Sequence, residues 1–211
     1  MKKVLYSMML DEDVINQIDV LAHKAGTNRS AMVNRILAEH VNLTTPERRV
    51  SDIFNSITAL LDGACGLVPN IAQNAMSMSL KSSLQYRYRP TLKYEVEFYR
   101  SNNDYLGQLT VKLRTQSELL ISQLSQFFKA WKAVEEHYLA RPVNCVLNDL
   151  KFVRALSAPE RACSADELAA ALHNYVTTLD AAIKKYLADD LSMLQLQRMY
   201  ANYLANTDIK L

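Results

Sequence analysis

Residues 2–41 read KKVLYSMMLDEDVINQIDVLAHKAGTNRSAMVNRILAEHV, and the reading of the rest of the chain follows from them. Lys3 to Leu10 holds no Pro or Gly and favours an extended form. Asp11 offers a helix N-cap, with Glu12 and Asp13 in the first turn, where carboxylates suit the positive end of the helix dipole. Val14, Ile15, Ile18, Leu21, Ala22 and Ala25 recur at helical spacing, and Gly26 stops the helix. Asn28 caps a second helix, which Met32, Val33, Ile36, Leu37 and Val41 make amphipathic.

A unit of about 40 residues buries too little apolar surface to stand alone. Its one strand has no partner within the unit, so its main-chain groups go unsatisfied. A symmetric dimer answers both problems: two strands pair antiparallel, and four helices pack beneath them. Side chains alternate along a strand. If Leu10 turns inward to join Val14 and Ile18, then Met8, Tyr6 and Val4 share its face, and Lys3, Leu5, Ser7 and Met9 point away.

The order strand, Leu10-Asp11-Glu12, Val14, Ile18, Leu21-Ala22, then Gly26-Thr27-Asn28-Arg29-Ser30-Ala31-Met32 resembles the ribbon-helix-helix proteins of the CopG/Arc/MetJ type over the first fifth of the chain. The resemblance implies that paired strands enter a DNA major groove. It also implies that the N-terminus of the second helix holds a phosphate through open main-chain N–H groups. It assigns DNA contact to Lys2, Lys3, Leu5, Ser7, Met9, Asn28, Arg29 and Ser30. Family members carry polar or basic residues at the positions matching Leu5, Ser7 and Met9. Only Ser7 keeps that habit, while Leu5 and Met9 offer apolar contact to thymine methyls. The alternative is that Leu5 and Met9 lie beneath another part of the chain.

At 211 residues the chain has room for a second unit, and the division expected is 1–43 and 44–211. The net charge of +2 gives no global basic footprint. In the first unit Lys2, Lys3, Lys24, Arg29 and Arg35 are offset by Asp11, Glu12, Asp13, Asp19 and Glu39. Cys65, Cys145 and Cys163 are odd in number and far apart, which points to a reduced, cytoplasmic protein. The apolar run at the start breaks at Asp11, unlike a signal peptide, and no stretch reaches membrane-spanning length.

Beyond the first unit, Thr45-Pro46-Glu47 opens a helix carrying Val50, Ile53, Phe54, Ile57, Leu60 and Leu61, with Gly63 and Gly66 after it. Arg48 and Arg49 read as a solvated pair within reach of DNA. Val68 to Leu84 is read as a helix with a weak apolar face of Ile71, Ala75 and Met78. The period then changes. Leu92, Tyr94, Val96 and Phe98, followed by Leu109, Val111 and Leu113, predict a hairpin near 91–115. Gln85 to Arg89 offers a third strand ended by Pro90. Leu120, Leu124, Phe127, Phe128, Trp131 and Tyr138 predict a helix from Gln116 to about Leu139, their aromatic stripe reading as core. Val146, Leu150 and Val153 predict a shorter helix within Val143–Leu156. Ser164 and Glu167 form a capping box for a long helix. Asp189-Asp190 either caps a last helix or lies within a continuous one.

No nucleotide loop, zinc-protease motif or nucleophile elbow occurs, and His23, His40, His137 and His173 are scattered. Glu135-Glu136-His137 reads as a solvated helix end, because helical neighbours diverge by about 100°. The expected fold is therefore mainly α with a small β component: a ribbon-helix-helix unit forming an intertwined dimer, then a mostly helical α+β part with one hairpin. The expected function is a homodimeric, sequence-specific DNA-binding protein, a transcriptional regulator that uses no catalytic residue, metal or cofactor. Its partners are double-stranded DNA, further copies in a homodimer or higher oligomer, and a protein partner through the C-terminal part, which is expected to oligomerise, bind that partner or sense a signal, with no membrane. Alternatives are a plasmid partition or relaxosome accessory protein, or an interaction scaffold that uses the ribbon only to dimerise.

Overall fold

Period-two alternation of buried and open side chains builds the centre of the molecule. The structure, a computed structural model, describes residues 4–61, 66–71, 76–85, 89–100, 104–148 and 151–211. Six strands, β1 (Leu67–Ile71), β2 (Ser77–Ser83), β3 (Thr91–Phe98), β4 (Tyr105–Arg114), β5 (Cys145–Asn148) and β6 (Lys151–Ser157), form one sheet in the order β1-β2-β3-β4-β6-β5. Every pairing is antiparallel. Met78 and Leu80 of β2, Leu92, Tyr94, Val96 and Phe98 of β3, Leu109, Val111 and Leu113 of β4, and Phe152 and Leu156 of β6 are buried on one face. The other face is open.

Helices α3 (Pro46–Leu60), α4 (Glu118–Leu139), α5 (Ala165–Leu187) and α6 (Met193–Ala205) share one hydrophobic core with the inner face. Each opens on a side-chain cap. Thr45 accepts from the Arg48 N–H, Ser117 from Leu120, Ser164 from Glu167 and Ser192 from Gln195, the last two as complete capping boxes. Helices α1 (Glu12–Lys24) and α2 (Arg29–His40) pack on each other around Ile18, Ala22 and Met32, a cluster separate from the main core.

A buried ion pair sits where α4 meets β6. Arg154 Nε lies 3.0 Å from Glu135 Oε1, with side chains 2% and 0% exposed. Arg154 also donates Nη2 to the main-chain oxygen of Leu211 at 2.7 Å and stacks its guanidinium 4.8 Å from the Tyr175 ring centre. The Tyr200 hydroxyl donates to Glu135, and Trp131 Nε1 donates to the Tyr175 hydroxyl at 3.1 Å. Burial alone would lower the Arg154 pKa. The Tyr175, Glu135 and Tyr200 groups around it push it up instead, so the guanidinium stays charged.

Several expectations are corrected. The β component is not small: strands make up 21% of the residues, in a six-stranded sheet that organises the core. No ribbon is formed by the single chain, because residues 4–10 are irregular and exposed, with no neighbouring strand to complete their ladder. The helix expected over Val68–Leu84 is replaced by β1 and β2, and that over Val143–Leu156 by β5 and β6. Glu135 is not a solvated helix end but the most buried acid of α4. The last helix is capped by Ser192 rather than Asp189 or Asp190. Of the third strand proposed at Gln85–Arg89, residues 86–88 lie outside the described residues. The β3–β4 hairpin, the helix from Glu118 to Leu139, the Thr45-Pro46 start and the Ser164 box stand where the sequence puts them.

Two substitutions test this architecture. Arg154→Ala strips Glu135 of its charge partner in a dry site and is expected to cost about 3–5 kcal/mol in urea unfolding. Gly107 follows a register shift in β4, and a Cβ there would lie 2.0 Å from the main-chain oxygen of Glu97. Gly107→Ala is therefore expected to destabilise by about 3 kcal/mol, the upper end of overpacking costs.

Candidate nucleic-acid interface

The N-terminal segment runs from Val4 to Leu10 with every residue exposed. Leu5 and Met9 are each 99% exposed, and Ser7 lies open between them. Lys2 and Lys3 lie outside the described residues. Asp11 takes the extended backbone of an N-cap, yet its side chain makes no capping bond. Carboxylates of Glu12 and Asp13 lie in the first turn of α1. Helix α1 ends at Lys24, and Gly26 takes a left-handed φ of +60°, which lets the chain turn directly into α2.

Asn28 accepts from the Ala31 N–H at 2.9 Å and so fixes the start of α2. The main-chain N–H groups of Arg29 and Ser30 then fall in the first helical turn, where no intrahelical acceptor exists. Residues 26–30 are all exposed, so these donors face solvent, as an anion site needs. The Arg29 side chain does not point freely outward. Its Nε donates to Asp19 Oδ1 at 2.7 Å, and its Nη2 bonds Asp19 Oδ2, a bidentate pair that ties α2 to α1. The hydrogen bond to Arg29 holds the Asp19 carboxyl below its ordinary range despite slight desolvation, and the same bond raises Arg29. Of the residues expected at the interface, the fold thus brings Asn28, Arg29 and Ser30 together at one helix start. Leu5, Ser7 and Met9 lie on one exposed segment.

Around these residues the helix pair leaves apolar surface open. Val14, Val20, Leu21, Ile36, Leu37, Val41 and Leu43 are all exposed, together with Val4, Leu5, Tyr6, Met8, Met9 and Leu10. These are thirteen of the twenty exposed large hydrophobic residues of the described chain, all within its first 43 positions. Monomeric soluble proteins rarely concentrate apolar surface in this way.

Arg48 and Arg49 do not extend this surface. Arg48 pairs with Glu39 at 3.4 Å, and Arg49 donates to the Cys163 carbonyl at 2.7 Å, tying α3 to the start of α5. The aromatic stripe of α4 is core, with Trp131 fully buried against Tyr175 and Tyr200. A polar groove of about 400 Å³ opens elsewhere, between α5 and α6, lined among others by Asn174, Thr177, Asn202 and Asn206. Among the described residues no helix is long and apolar enough to cross a membrane.

The sequence places Lys93 and Lys112 on the outer face of the hairpin but does not bring them together with Lys81 and Lys151, which the sheet register aligns beside them on its open face. They are far apart along the chain, and only strand pairing makes them neighbours. No protein-family model, no curated protein and no solved structure matches the chain.

The Asp19–Arg29 pair gives a pH signature. A carboxyl held low in the folded state adds stability above its unfolded pKa of about 3.9 and loses it as pH falls through the folded value. The carboxyl carbon of Asp19 is expected to titrate below the ordinary aspartate range in an NMR pH series, and Arg29→Ala should return it to that range.

Proposed function

We propose that the chain is a homodimeric DNA-binding protein whose first 43 residues supply both the dimer contact and the DNA contact. The observation that carries this reading is the thirteen-residue apolar exposure just described, beside a segment with open main-chain groups. A second copy answers both needs at once. Two Val4–Leu10 segments can satisfy each other as antiparallel strands, and two α1–α2 pairs can cover each other's apolar faces. Leu5, Ser7 and Met9 of both chains would then lie along one surface. The open N–H groups at the two α2 starts would flank it as phosphate holders. This is the arrangement that the ribbon-helix-helix resemblance implies.

Within this reading the protein binds a specific DNA sequence in the cytoplasm and acts as a transcriptional regulator. Plasmid partition and relaxosome assembly are the alternative uses. Two features favour a second reading, a scaffold that dimerises through the same unit. Leu5 and Met9 make no hydrogen bonds to base edges, and Arg29 is held by Asp19.

Sedimentation equilibrium is expected to give twice the 23.9 kDa chain mass. Leu37→Glu, which puts a charge on the uncovered face of α2, should yield a monomer with an unchanged C-terminal core. Binding to mixed-sequence duplex DNA should weaken steeply as salt rises. A monomeric parent protein would overturn the dimer. A dimer with no duplex affinity at low salt would leave the scaffold reading.

A further inference from the structure

The register of the sheet places four lysines directly across from one another. Lys81 of β2 pairs with Lys93 of β3, Lys93 with Lys112 of β4, and Lys112 with Lys151 of β6. All four stand on the face that the helices leave open, the opposite parity to the buried Leu80, Leu92, Val111 and Phe152. With strands about 4.8 Å apart, the row spans about 14 Å in a nearly straight line across the sheet.

Folding gives no reason for this row. Like charges directly opposite on paired strands repel and destabilise a sheet. The row is only partly neutralised: Glu95 bonds Lys93 at 2.6 Å and also bonds Lys112. Partial burial would raise the Glu95 pKa, but Lys112 and Lys93 outweigh it, so the carboxylate is ionised and committed to those two lysines. Lys81 and Lys151 have no carboxylate partner among the described residues. Arg114 adds a fifth cation in the next row, opposite Thr91. The one other acid among the described outward strand residues is Glu97, which accepts from Gln108 Nε2 at 2.9 Å. Five cations against two carboxylates give this face a net +3, more than the whole chain's +2.

We propose that this open sheet face is a contact surface for the phosphate backbone of duplex nucleic acid, separate from the N-terminal unit. An evenly spaced line of cations complements an evenly spaced line of phosphates. The one aromatic among the described outward strand residues is Tyr105, which pairs with Ser157 at the far end of β4 and accepts from Asn144 Nδ2, so no ring stands in the lysine row to stack unpaired bases. The exposed apolar side chains of the outward residues are Val68 and Val146 on the two edge strands, with no exposed Trp, Phe or Leu among the described ones to seat in a lipid interface. Contacts made by lysine to phosphate position a duplex without reading its sequence. The surface shares only its partner with the dimeric reading and does not need the ribbon.

The test uses the full chain and two unrelated duplexes, followed by fluorescence anisotropy from 50 to 200 mM salt. The double variant Lys81→Gln/Lys151→Gln removes the two unpaired ends of the row and leaves the Glu95 pairs intact. Each lost phosphate contact lowers the salt slope by about 0.9. The variant's loss of affinity over that salt range is therefore expected to be about ten-fold smaller than the parent's, on both duplexes alike. Unchanged circular dichroism and melting temperature would show that the fold is kept. A control double variant, Lys129→Gln/Lys185→Gln, makes the same charge change at exposed positions on the helices. It should leave the slope as it was. An unchanged slope in the sheet variant, or an equal fall in the control, overturns the proposal. The monomerising Leu37→Glu variant separates the two readings: it should lose the dimer contribution while keeping the salt slope that the lysine row supplies.

Discussion

A sheet covered on one side only can bury every second residue of each strand, and this constraint shapes the whole C-terminal part. Inward charges and large polar groups are paired, because an unpaired charge there would cost several kcal/mol, while the small Ser82 hydroxyl is buried without a partner. Tyr94 meets the rule by donating its hydroxyl to Asp180 at 2.8 Å, and Asp180 is in turn held by Lys184 at 2.6 Å. Arg154 meets it through Glu135, the Tyr175 face and the Leu211 oxygen. These buried polar links tie α4, α5 and the end of the chain to particular strands, so they set the alignment of the helices as well as adding stability.

The same polar residues explain what the sequence conceals. Strand β6 runs KFVRALS, and its inward set is Phe152, Arg154 and Leu156. With an arginine in the middle of the apolar alternation, the period of two is hidden, and Val146, Leu150 and Val153 at spacings of four and three imitate a helix. In β2 the inward Ser82 interrupts the pattern begun by Met78 and Leu80 in the same way. Where every inward residue is apolar, as in β3 and β4, the strands are legible directly. Helix starts are legible too, because a Ser or Thr cap is a local chemical device that tertiary context seldom overrides. Glu135 had a usable signal. It lies four residues after Trp131, on the buried stripe of α4, and a carboxylate on such a stripe calls for a cation opposite.

The interface residues were legible to a different extent. Asn28 acts as the cap that its position predicts, and the turn at Gly26 has the required positive φ. The engagement of Arg29 with Asp19 could not be read, since ten residues separate them and only the packing angle of α1 on α2 brings them together. The two parts of the chain also differ in completeness. The C-terminal part closes its core around fully buried residues such as Phe54, Leu109, Trp131 and Leu172. The N-terminal helix pair has only Ile18, Ala22 and Met32 at its centre. A sequence can be amphipathic in every element and still leave apolar faces uncovered when the covering surface belongs to another molecule.

Net charge is a poor guide to partners for a related reason. Screening at physiological salt confines the field of an exposed charge to about 8 Å, so an approaching phosphate meets a local group of side chains and not the molecular sum. In this chain many of the acids cap helices or pair with cations, as Glu167 does with Arg161 and Ser164. Strand register gathers five of the cations, Lys81, Lys93, Lys112, Lys151 and Arg114, onto one sheet face. Neither hydropathy nor composition records that sorting, because strand pairing is a long-range property of the fold. A near-neutral chain can therefore present a strongly cationic surface, and only the alignment of β2, β3, β4 and β6 shows where that surface lies.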